Sequence, residues 1–252
     1  MSVMMDTWLP RHRFDVDEYY RMKEFGILAP KDRVELIEGQ VLDLTDRIAN
    51  DDRSIRTRES AAMSAVPDSW IPFHRFTVEE FHRMAEVGVL APDARVELIE
   101  GEIIDMASMG SWHCGTVDWL TETLCVGLRE HANVRIQGAV KMSRLSEPEP
   151  DVALLKRRAD FYRHAHPGAP DTLLIIEVSD SSLRTDQLVK IPLYAHFGVP
   201  EVWIVDGVHE RLHQYRSPRN GEYTDVASTE KPGVVALAAL SEVTVDLSDL
   251  FG

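Results

Sequence analysis

Two short apolar runs set the terms on which this chain can fold: DVALL at 151–155 and LLIIEV at 173–178. Continuous apolar runs of this length read as strands covered on both faces, which calls for a central sheet with other elements packed on either side. Each run carries one acid, Asp151 at the start of the first and Glu177 near the end of the second. A carboxylate on a buried strand is costly unless it is paired, protonated or bound to a cation. For Glu177 alone, a structural ion pair and a metal site both stay open.

The residues downstream sharpen that choice. Asp180, Asp186 and Lys190 follow Glu177 closely, with Lys190 on a stretch that reads as a helix. Two carboxylates on neighbouring strands with a lysine nearby can hold a divalent cation and a water beside a phosphodiester. Mg²⁺ keeps several waters, so one or two carboxylates and a phosphate oxygen complete its shell. The cation neutralises charge growing at phosphorus and acidifies a bound water, and a lysine can position that water. The pattern therefore makes Asp151, Glu177 and Lys190 candidates for a hydrolytic phosphate site.

Around these runs the periodicity predicts a helix at about 111–130, a strand at 134–142, a bend at Pro148 and Pro150, and a polar helical stretch after 155. Ser182 is a candidate cap for a helix reaching Phe197, with Pro192 expected to kink or divide it. A strand at 201–205 and a meander from 209 to 245 complete an α/β or α+β layout, a mixed sheet flanked by helices.

Upstream, the chain repeats itself. Residues 1–44 align without gaps to 63–106, and 25 of 44 positions are identical at a constant offset of 62. Both copies begin Met-Ser, consistent with a tandem duplication in which Met63 marks an older start. Each copy carries a capping box, Asp15 with Glu18 and Thr77 with Glu80, and a glycine stop, Gly26 and Gly88. Each then shows a hairpin signature, with Glu100-Gly101 as the turn in the second copy. The expected organisation is a partial duplicate at 1–44, a linker at 45–69 and a complete domain at 70–252. The spare copy could dock on the main domain, swap into another subunit or stay loosely ordered, and a chain started at Met63 is expected to fold.

Composition restrains the reading. The net charge is −15, with 27 basic against 42 acidic residues, a poor overall balance for binding DNA. A site cation and a local basic cluster can offset it. Lys156, Arg157 and Arg158, with Arg163, His164 and His166 behind them, form the clearest such cluster, which reads either as a phosphate contact or as a solvated face. Cys114 and Cys125 lie on one helix, too far apart to bridge, and are expected to be buried. Trp112, Trp119 and Trp203 are likewise expected in the core. No signal-like or membrane-length apolar segment is visible, so a cytoplasmic location is expected.

Taken together, ELIEGEI, the histidine of SWHCG, PEPDVALL, IIEVSDSS, the following D…K…Y, and GVPEVWIVD resemble the Uma-two family of restriction endonuclease-like proteins, within the PD-(D/E)XK nuclease superfamily. The resemblance covers nearly all of 63–252. It implies a restriction endonuclease-like core and cleavage of DNA dependent on Mg²⁺ or Mn²⁺. Asp151 and Glu177 would be metal ligands, with the Val178 carbonyl as a third. The superfamily lysine two residues after Glu177 is absent, Ser179 standing there, and Lys190 would take its place. Glu97 and His113 match motif positions as outer ligands or phosphate contacts. Read on its own, His113 suits a helix start or a core position, and Glu97 an exposed hairpin. A homodimer would suit cleavage of both strands. The alternative is a DNA- or protein-binding regulator that keeps the nuclease fold without cleaving.

Overall fold

The computed structural model describes residues 9–45 and 72–252, so nearly all of the expected linker lies outside the described residues. The chain divides into two compact units. One comprises the described residues up to Met106 together with Arg144–Ser146, and the other comprises Ala107–Ser143 and Glu147–Gly252.

In the first unit each copy of the repeat builds the same three elements: α1 (Val16–Glu24), β1 (Val34–Ile37) and β2 (Gln40–Asp43), then α2 (Val78–Glu86), β3 (Val96–Ile99) and β4 (Glu102–Asp105). Both capping boxes form, each cap side chain accepting from the backbone of the glutamate three residues on. The hairpin turns need left-handed backbone at both central positions, supplied by Glu38-Gly39 and Glu100-Gly101. Gly101 is also required sterically, because a Cβ there would come within 2.8 Å of the Arg75 Cβ. The two copies share one core, in which Phe14, Met22 and Leu28 pack with Phe76, Met84 and Leu98. The first copy is thus docked in cis.

The second unit is built on a six-stranded sheet in the order β10-β9-β8-β7-β6-β5, with β5 (Ala132–Ile136), β6 (Val152–Lys156), β7 (Thr172–Ser179), β8 (Glu201–Asp206), β9 (Arg211–Arg219) and β10 (Glu222–Thr229). All neighbours are antiparallel except β7 and β8, which run parallel and need a crossover. That crossover is helical: Leu183–Thr185, a π-helical turn at Asp186–Lys190, and Ile191–His196. A hairpin of β11 (Val234–Leu237) and β12 (Leu240–Asp246) follows.

The central strands alternate strictly between two cores. Val152, Leu154, Ile176, Val178, Trp203 and Val205 join the core formed with α3 (Ser111–Leu128), while Ala153, Leu155, Ile175, Val202 and Ile204 join the core of the crossover. By the same period of two, Asp151, Glu177 and Ser179 fall on the crossover side.

Several expectations are corrected. The strand expected at 134–142 stops at Ile136, because Gln137 turns left-handed and donates its N–H to the Asp151 carbonyl. The polar stretch after 155 is not an α-helix. Phe161 and Tyr162 are left-handed there, and the Tyr162 hydroxyl reaches back to the Lys156 carbonyl. Pro192 lies at the start of Ile191–His196, directly after the π-helical turn that separates it from the α-helical turn at Leu183–Thr185. Cys114 and Cys125 share a face of α3 as expected, but it is the exposed face, since Val117, Leu120, Leu124 and Leu128 occupy the other. Trp203 is buried and Trp119 packs at the core edge, whereas Trp112 is 38% exposed, its indole lying over Gly207.

Candidate metal centre

The site is a product of strand register. In the β6–β7 pair Val152 faces Ile176, so one step outward Asp151 comes opposite Glu177. The N–H of Val178 donates to Asp151 Oδ2 at 2.9 Å, fixing the carboxylate against the neighbouring strand. His113, buried in the first turn of α3, contacts Asp151 Oδ1 through Nε2 at 2.9 Å. An ionised carboxylate only accepts, so Nε2 carries the proton of that bond. Gln137 Nε2 adds a longer contact to the same oxygen at 3.4 Å.

Burial alone would raise the Asp151 pKa. The His113 hydrogen bond and charge, the Val178 N–H and the field of Lys190 outweigh it, and the carboxyl lies below its ordinary value of 3.8. Asp151 is therefore an anion at neutral pH despite being buried.

Glu177 is held from the crossover. Lys190 Nζ lies 3.3 Å from Oε2 and the Tyr194 hydroxyl donates to Oε1 at 2.6 Å, all three side chains being buried. One turn earlier, Asp186 accepts from the hydroxyls of Ser179 and Ser182, the latter at 2.8 Å. Asp186, Lys190 and Tyr194 recur every four residues, so one face of the crossover serves the strand below it. Ser179, at the position where the superfamily lysine is absent, points to the same side as Glu177 and is engaged by Asp186. Lys190 brings its ammonium to Glu177 from the crossover.

The donor chemistry suits a hard divalent cation, because two carboxylates on adjacent strands offer only oxygen. Asp151 and Glu177 are the carboxylates that would hold such an ion. Val178 meets the site through its N–H. Glu97 lies on β3 of the first unit, opposite Ile104, and is buried rather than exposed. In the basic cluster, Arg158 is committed to Asp160 by two bonds of 2.9 and 2.6 Å and rests over Tyr162, while Arg157 lies over the ring of Phe161. Asp186 and Tyr194 bracket Lys190 in the D…K…Y pattern of the sequence but carry no role there, and Gln137 is not singled out. The four-residue spacing from Lys190 was the available signal for the first two, and nothing local marked Gln137.

The family model for Uma2, described as "Putative restriction endonuclease", matches residues 78–248. The chain belongs to this family. Among solved structures, it is similar to one described as a "putative nuclease belonging to DUF820" from Anabaena variabilis ATCC 29413. That likeness has a TM-score of 0.53 at 16% identity, over 70% of this chain and 97% of the other, and it shows a shared fold of restriction endonuclease type. No curated protein matches significantly. Among the described residues no helix is long and apolar enough to cross a membrane.

Proposed function

We propose that this Uma2 protein is a divalent-metal-dependent endonuclease that hydrolyses DNA phosphodiester bonds, with residues 70–252 as its nuclease domain and 45–69 as a linker. The observation that carries this reading is the convergence of Asp151, Glu177 and Lys190 on one sheet face, with Asp151 ionised and Lys190 within 3.3 Å of Glu177. Asp151, Glu177 and the Val178 carbonyl would hold Mg²⁺ or Mn²⁺. The bound ion would neutralise charge on the phosphate and acidify a water. Lys190, released from Glu177, would position that water or the phosphate oxygens, while His113 keeps Asp151 oriented. Lys156 and Arg157 are the cluster's cations proposed for the DNA backbone, Arg158 being partly neutralised by Asp160. A homodimer would place two sites on a duplex.

The net charge of −15 favours a second reading, a DNA- or protein-binding regulator that does not cleave. Supercoiled plasmid incubated with Mg²⁺ or Mn²⁺ and either wild type or Asp151→Ala separates the two. Nicking by wild type that vanishes in the variant supports the nuclease. Binding without nicking by either supports the regulator, and equal nicking by both removes Asp151 from the reaction.

A further inference from the structure

The two copies in the first unit meet as equals. The N–H of His12 donates to the carbonyl of Ile103 and that of His74 to Val41, both at 2.8 Å. The N–H of Asp105 donates to Pro10 and that of Asp43 to Pro72, again at 2.8 Å. Exchanging the copies by the offset of 62 converts each bond into its counterpart, and the bridges Arg11↔Ile104 and Leu42↔Phe73 exchange in the same way. Reciprocity of this kind defines a two-fold, isologous interface. Near its axis each residue meets its own twin. The rings of Phe14 and Phe76 lie edge to face at 5.9 Å, and the Arg11 guanidinium lies 4.5 Å from the centre of the Phe73 ring. The lead segment of each copy runs along the outer strand of the other copy's hairpin, satisfying an edge that would otherwise be open to a second chain.

We infer that the face of residues 72–106 covered by the first copy is a self-association surface, and that its occupant, when the first copy is displaced, is the same segment of a second chain. The differences between copies favour pairing in cis. Arg11 and Gln40 stand where the second copy has Phe73 and Glu102, and Arg11 forms an ion pair with Glu102, which also holds Arg75 at 2.8 Å. Two first copies would oppose arginine with arginine. Two second copies would oppose Phe73 with Phe73, an apolar contact that needs no further partner. The covalent tether adds an effective concentration of roughly millimolar, so the intact chain fills the surface itself.

The test keeps the full chain and alters only the first copy, with Arg11→Glu and Phe14→Asp in a Cys114→Ser/Cys125→Ser background. Sedimentation equilibrium should give twice the mass of the unaltered chain, whatever state that chain adopts through other surfaces. Phe73→Cys added to this variant should cross-link chain to chain on mild oxidation, because residue 73 meets its twin. The same cysteine opposite native Arg11 should not cross-link. A variant that melts cooperatively yet keeps the unaltered mass, or fails to cross-link, overturns the inference. If the double variant loses its cooperative melt, Arg11→Glu alone is read by the same two outcomes.

Discussion

Glu177 and Glu201 stand on adjacent parallel strands, both buried, yet they face opposite sides of the sheet and are held in different ways. Glu201 is saturated. Its Oε1 accepts from Trp203 Nε1 at 2.7 Å and from Arg216 Nε and Nη2, each at 2.6 Å, while Oε2 accepts the Ala238 N–H at 2.7 Å. Two nitrogens of the arginine converge on the one oxygen Oε1, a charge-assisted pair held by the planar guanidinium. Glu177 has a lysine and a phenol, single-point partners that can be displaced. A second acid faces it across the strands, which would be unfavourable in a purely structural pair. One buried glutamate closes a network, and the other stands opposite a second carboxylate on the neighbouring strand.

Substitutions should separate the two. The largest expected effect is on stability: Glu201→Ala strips Arg216, Trp203 and Ala238 of their acceptor, for a loss of about 3–5 kcal/mol. Urea denaturation would measure it, with cleavage per folded molecule close to wild type. Next, Glu177→Gln should lower the cleavage rate by about 10²–10³-fold, the scale of losing a group that stabilises transition-state charge. Its loss of stability should be smaller than that of Glu201→Ala, and the reverse order would break the comparison. His113→Ala removes one of the groups orienting Asp151 and should weaken Mn²⁺ binding by about 10–100-fold, as measured by calorimetry.

The smallest effect concerns acid. The folded-state pKa of Asp151 is depressed, so its contribution to stability is present above the ordinary carboxylate value of 3.8 and is lost as pH falls through the lowered folded value. Denaturation curves between neutral pH and that acidic range should therefore converge for wild type and Asp151→Asn as the pH drops. A constant gap would contradict the assigned ionisation.

Much of the first unit was legible because its signals are local. Asp15 with Glu18, Thr77 with Glu80, and Glu100-Gly101 each specify their own geometry within a few residues. Asp151 and Glu177 were legible for a different reason: an acid in an apolar run is conspicuous whatever surrounds it. The partners were harder. Gln137 reaches Asp151 only because the chain turns left-handed where β5 ends, and the sequence reads on through that point as strand. The stretch after Lys156 looked helical from its polarity. It is shaped instead by burial of Tyr162 and by the Arg158–Asp160 pair, neither of which leaves a periodic trace. The buried saturation of Glu201 depends on Arg216 and Ala238, residues far along the chain.

The central claim is that Asp151 and Glu177 form an exchangeable cation site, and Mn²⁺-dependent protection against thermal unfolding tests it most directly. At 100 times the dissociation constant a bound ion stabilises the folded state by about 2.7 kcal/mol. The expected result is a rise in Tm for wild type with added Mn²⁺ that disappears in both Asp151→Asn and Glu177→Gln. An equal rise in all three proteins, or none in wild type, would contradict the claim.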